Sequence, residues 1–233
     1  MIKFFRKLRQ DLLKRGKMGK YLQYAIGEIV LVVVGILIAL SINNWNDGQS
    51  ERIAELNFYK NKKQQLLDDA HNIASESKYN TKFTNQFKYA IQIIEANDKS
   101  KKDSLGKIAM KLINYSDFDG QSNIYETMVN SGDVKLLKNT DIIERLRRLE
   151  ETYFYLNRME AIHLDAVMLV IPEVIQTVQL TTGKIENEDY LFGSKFQNLF
   201  VISLRVMDEK DEVYNRAINE IESIVQLIDD EIE

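Results

Sequence analysis

Both histidines of the chain sit three residues after a carboxylate, in Glu160-Ala-Ile-His163 and Asp68-Asp-Ala-His71. Residues three apart share a helix face, so each pair would aim an acid and an imidazole the same way. Two Glu-x-x-His pairs joined by two further helix glutamates are what di-metal bundles use to hold their ions. Here the two extra glutamates are not identifiable and aspartate is short for the role. Glu160, His163, Asp68 and His71 are therefore an incomplete metal set, and the competing reading of His163 is a hydrogen-bonded core residue. No metal and no cofactor is expected.

Other chemistry fails on its own spacing. The serines lack a Gly-x-Ser-x-Gly elbow, and neither histidine comes with a triad partner. Gly183-Lys184 lacks the earlier glycine and the following Ser/Thr of a phosphate loop. Asp117-Phe-Asp-Gly120 is a turn without the remaining oxygen ligands of a calcium loop. The basic groups Lys99–Lys102 and Arg145/Arg147/Arg148 are small and lie in an acidic region, which argues against nucleic acid as a partner. No catalytic residue is assigned, and a non-enzymatic protein is expected.

The elements that would position these residues begin with the stretch Tyr24–Trp45. From Ala25 to Ile42 only Glu28 and Ser41 are polar. About 18 helical residues span roughly 27 Å, near the hydrocarbon thickness of a bilayer. A single membrane-spanning helix is expected, with Tyr21, Tyr24 and Trp45 as interfacial anchors. A cleaved signal peptide ending near Ala39-Leu40-Ser41 is the competing reading, against which stand the long apolar run and the extended basic segment before it. Glu28 lies at the shallow cytoplasmic end, where it reaches headgroups or Lys20 and serves structure or oligomer formation rather than ion handling. Gly27, Gly35 and Ala39 share one face and would let two such helices approach closely.

Charge sets the orientation. Residues 1–24 hold eight Lys/Arg against Asp11 alone, while the chain beyond the span is roughly ten charges negative. Basic flanks stay on the cytoplasmic side, so the amino terminus is expected inside and the bulk of the chain outside, in the periplasm. Residues 1–23 read as a basic amphipathic segment whose Ile2, Phe5, Leu8 and Leu12 suit an anionic leaflet, broken at Gly16 and Gly19. Absence of cysteine excludes disulfides and thiolate metal sites.

Phe4–Lys7 (FFRK) and Gly19–Asn46 (GKYLQYAIGEIVLVVVGILIALSINNWN) resemble the amino-terminal signature of an uncharacterised bacterial family of small single-span proteins, a domain of unknown function. Tyr125-Glu126, Ser131-Gly132 and Leu136–Asn139 resemble its soluble portion. The resemblance implies an inner-membrane protein with a helical carboxy-terminal region, and it supplies no activity or site residue.

One proline and ten glycines favour long helices. The fold class expected is all-α: a transmembrane helix over 24–45, then an extracytoplasmic helical bundle over 46–233. Asn46-Asp-Gly48 reads as a hinge before Ser50 caps the next helix. Ile53, Leu56, Leu67, Ala70 and Ala74 form a thin stripe, followed by a stronger one at Phe83, Phe87, Ala90/Ile91 and Ile94. Short helices are expected over Leu105–Asn114 and Ser122–Asn130, the second closed by Gly132. The best stripe starts at Asn139 and runs through Ile142, Leu146, Leu149, Tyr153, Leu156, Glu160, His163, Val167, Val170 and Val174, continues past Pro172, and ends at Thr181–Gly183. Final helices run from Ser194 to about Ile232, their buried side marked by Val206, Val213, Ala217, Ile221, Ile224 and Ile228, with Asp208–Glu212 as a charged break.

Function follows from this as an expectation. A membrane-anchored helical module for protein–protein interaction, with the bilayer and either a protein partner or a second copy as its partners, comes first. A ligand-sensing bundle signalling through the span is the alternative, and a metal-binding bundle the third.

Overall fold

The computed structural model describes residues 18–118 and 124–233, leaving out the side chains of Met18, Lys20 and Tyr21. Residues 1–17 of the amphipathic segment expected over 1–23, the anchoring role of Tyr21, the pairing of Glu28 with Lys20 and the Asp119-Gly120 half of the turn lie outside the described residues. The elements are α1 (Met18–Glu95), α2 (Lys102–Ala109), α3 (Ile124–Ser131), α4 (Thr140–Thr177), α5 (Glu188–Leu191) and α6 (Ser194–Ile232), with single 3₁₀ turns between some of them. The chain is all-helical: its nearest approach to a strand among the described residues is one antiparallel bridge, Val178 to Ile185.

Two compact units divide at Ala54/Glu55. In the first, residues 18–54 are helical throughout, so Gly19 does not break the chain. Asn46-Asp-Gly48 is not a hinge either. Asn43 Nδ2 donates to Asp47 Oδ2 at 2.8 Å and Ser50 Oγ donates to the Asn46 carbonyl at 3.1 Å. Both bonds run along one turn of the continuous helix, and Ser50 bonds back instead of capping a new one. One glycine costs a helix only about 1 kcal/mol, which flanking turns absorb.

The second unit, Glu55–Glu233, is a bundle of three long helices: α1 from Glu55 onward, α4 and α6. Lys63 meets Asp229, Ser77 meets Asp211 and Phe87 meets Phe200, so α6 runs antiparallel to α1. Asp69 meets Tyr153 and Glu55 meets Lys138, so α4 runs parallel to α1. On α1 the buried seam is Tyr59, Leu66, Ile73, Asn80, Phe87 and Ile94, one residue every seven. The stronger stripe is where it was expected. The thin one is displaced: Ile53 and Leu67 are exposed, and the seam lies under Tyr59, Leu66 and Ile73.

α4 buries every residue of its expected stripe, from Ile142 to Val174. Asn139 caps it, accepting from the Asp141 and Ile142 amides. Pro172 is tolerated inside because it lies on the exposed side, where water can take the freed carbonyl. The helix ends at Thr177, before the expected stop, because Val178 is extended and pairs with Ile185 across a turn closed by Gly183 at φ +73°. α6 is one helix without a break at Asp208–Glu212. Its buried register is Met207, Lys210, Val213, Tyr214, Ala217, and Val206 lies at the edge.

α2 and α5 close one end of the bundle, with Leu105, Ile108 and Leu191 packed against Val174 and Phe196. The contact is close at Gly106, where a Cβ would stand 2.7 Å from the Gly183 carbonyl oxygen and 3.1 Å from Ile185 Cγ1. Backbone cannot move aside as a side-chain tip can. Gly106→Ala is therefore expected to destabilise the domain by about 1–3 kcal/mol, read as a lowered thermal midpoint of the full chain.

Candidate functional site: a buried polar layer

The apolar core is in two parts. One cluster contains Tyr59, Leu66, Ile73, Tyr153, Leu156 and Val213. The other contains Phe83, Phe87, Val170, Val174, Phe200 and Met207. Between them along the helices lies a polar layer made by Asn80 on α1, Glu160 and His163 on α4, Lys210 and Tyr214 on α6, and Ser116 from the segment after α2.

These positions are internal because each falls on its helix's buried seam. Glu160 is 4 % exposed, His163 2 % and Lys210 0 %. Most of their polar atoms are then held by one another. Glu160 Oε1 accepts from the Phe118 amide and from the Tyr214 hydroxyl, both at 2.8 Å. Tyr214 has one proton and gives it to the carboxylate, so the Ser116 hydroxyl, 3.3 Å away, donates to the phenol oxygen. Lys210 Nζ donates to the Ser116 carbonyl and, at 3.3 Å, to His163 Nδ1. That last bond fixes His163 as the neutral tautomer with its proton on Nε2. Asn80 Nδ2 donates to the Met207 carbonyl at 2.8 Å, tying α1 to α6. The second oxygen of Glu160 is buried without a hydrogen-bond partner among the described residues.

Burial governs the electrostatics. It raises the Glu160 carboxyl above its usual range, against the Phe118 amide, the Tyr214 hydroxyl and the Lys210 charge. Burial first, and Lys210 second, lowers His163 to about 4. Burial likewise lowers Lys210 to about 8, against the attraction of Glu160, Asp117, Glu76 and Asp211.

A pH dependence of stability follows. In the unfolded chain His163 takes a proton near pH 6.5, but in the folded chain only near 4. Stability is thus lost as pH falls from about 6.5 to 4, by about 2–3 kcal/mol from this group alone. Glu160 has the opposite sign, since its raised value loses stability as pH rises through it. His163→Gln should flatten the acid limb of a plot of denaturation midpoint against pH.

Of the metal candidates, the structure places Glu160 and His163 in this layer and leaves Asp68 and His71 exposed on α1. Asp68 accepts from Gln64 at 2.9 Å. Among the described residues no three His, Asp or Glu side chains come together as a ligand set. The Lys210 ammonium stands at the His163 nitrogen where an ion would bind, and a cation there would be repelled. The layer as built stores a neutral imidazole, an ammonium and a carboxyl in fixed tautomers and pins the Tyr115–Phe118 segment to α4 and α6. Beside it opens a groove of about 210 Å³ lined by Tyr115, Asp117, Asn157, Glu160, Ala161 and Leu164.

On α1, Tyr24 and Trp45 are exposed near the two ends of the apolar stretch, and Ala39 is exposed. A Cβ at Gly27 or Gly35 would meet nothing within 4 Å. Glu28 is half-buried and already engaged.

Sequence reasoning found Glu160 and His163 but missed Lys210, Tyr214, Ser116 and Asn80. The signal for Lys210 was the 3–4 spacing Ser203, Met207, Lys210, Tyr214, Ala217, hidden by the run of charges around it.

A family model described as a family of unknown function (DUF6090) matches residues 28–210. No curated protein and no solved structure matches the chain.

Proposed function

Since the chain belongs to DUF6090, a family of unknown function, and inherits no activity from it, we propose that it is a non-enzymatic helical module anchored in the bacterial inner membrane. Its amino terminus faces the cytoplasm, and its three-helix domain stands outside to engage a protein partner or another copy. One observation carries this. α1 is the one helix among the described residues long and apolar enough to cross a membrane, and from Ile29 to Ile42 its side chains are exposed on every face. Such a surface is stable in lipid and not in water. The basic residues before it and the acidic domain after it support the orientation. The buried layer supports a structural reading, because most of its donors and acceptors are spent on one another.

Membranes washed with carbonate, followed by affinity purification of the tagged full chain, test the proposal. Retention in the pellet with a specific protein or a second copy is the expected result; release into the supernatant, or a strictly solitary chain, contradicts it.

The groove lined in part by Glu160, whose second carboxylate oxygen is buried without a hydrogen-bond partner among the described residues, favours one second reading: a ligand-sensing bundle. That reading requires a small polar molecule that raises the thermal midpoint of the wild type but not of Glu160→Gln.

A further inference from the structure

α4 carries two seams, and the bundle uses one. Beside the buried positions runs a second row one residue on: Phe154, Ala161, Leu164, Met168, Ile171 and Ile175, with Asn157 as its polar member. Its spacing alternates three and four across three heptads, the pattern that seats one helix against another. Phe154 is 66 % exposed, Met168 60 % and Ile175 54 %, and Leu169 next to the row is 78 % exposed. With Leu164 these side chains present on the order of 600 Å² of apolar surface, the upper range for an isolated patch and close to the roughly 800 Å² each partner gives a stable interface.

We propose that this outer seam of α4 is the contact between two copies of the chain; the proposal rests on the anchored-module reading and names its partner. The mate is a helix because the spacing is a helix's. It is a second copy because the row carries no charge of its own in a domain that is otherwise strongly acidic. Of the nearby acids, Glu160 is buried, Glu173 is held by Lys195 and Tyr190, and Glu151 by Arg147. Asp165 stands exposed beside the row together with the oppositely charged Arg158, so like copies meet here with less repulsion than they would feel elsewhere. A two-fold axis brings such a row onto itself. Independently, Gly27 and Gly35 leave open space on the apolar stretch of α1, the condition for two such helices to approach closely.

The chain has no cysteine, so a single introduced one reports alone. Full-length Met168→Cys in native membranes, treated with a mild oxidant, is expected to give a disulfide-linked homodimer at least about fivefold above Glu222→Cys, an exposed site on α6. Adding Leu164→Glu and Ile175→Glu to Met168→Cys should lower that yield at least about tenfold, with circular dichroism unchanged. A monomer alone, a cross-link to a different protein, or a dimer that ignores both glutamates would each overturn the proposal. Carbonate extraction of the same samples separates the two readings. A pelleted chain that stays monomeric sinks only the second copy, while an extracted chain sinks the anchor and leaves the dimer band to judge the seam.

Discussion

Lys210→Ala is expected to destabilise the soluble domain by about 3–5 kcal/mol, the scale of breaking a buried charged pair by removing one partner. The ammonium serves the Ser116 carbonyl and His163 Nδ1 and is the cation nearest in effect to Glu160. Without it two acceptors lose their donor and a buried carboxylate loses its counter-charge. The segment carrying Ser116 and Phe118 would loosen as well, since Lys210 and Glu160 both hold it. Lys210→Met separates the causes: it fills most of the space, so whatever stability it fails to restore belongs to the lost polar contacts. Urea unfolding of the full chain in detergent, followed by circular dichroism, measures both. If the alanine variant fell within about 0.5 kcal/mol of wild type, as ordinary surface changes do, the layer would have no structural weight.

The second large effect concerns the apolar stretch. Val33→Arg with Leu37→Arg places two charges one helical turn apart near its centre, where each costs about 2.5–3.5 kcal/mol on insertion. Arginine is a good helix former, so helicity is kept while the fit to lipid is lost. The double variant should leave the carbonate-washed membrane, whereas Val33→Ala with Leu37→Ala should stay. Unchanged retention of the arginine variant would mean that something other than this helix holds the chain to the membrane.

How far these features could be read in advance depended on what filled the seam. α4 was legible from its start to Val174 because aliphatic side chains recur every three or four residues and Asn139 caps it, whereas its end was not, since Val178 leaves the helix to pair with Ile185. Gly132 was legible because its left-handed backbone, φ +84°, suits glycine. The α1 seam before Phe83 was not, because Glu55 and Asn80 occupy buried positions while Ile53 and Leu67 face outward. Charge misled in the same way at Asp208–Glu212: three of those five residues are exposed, Asp211 is half-buried against Ser77 of α1, and Lys210 is fully buried. Composition marks such a run as a break, whereas partners distant in sequence, Ser116 and His163, make it internal. Asn46-Asp-Gly48 reads as a hinge because its residues favour turns, yet Asn43, Asp47 and Ser50 bond along the helix and keep it continuous.

The anchor and its direction are the centre of this account, and one labelling experiment reaches both. Glu222→Cys chain in cells with a permeabilised outer membrane is treated with a membrane-impermeant maleimide, and the washed membranes are then assayed. The account predicts full labelling before lysis, with the labelled chain resistant to carbonate. Labelling only after the inner membrane is broken, or a labelled chain found in the soluble fraction, would contradict it.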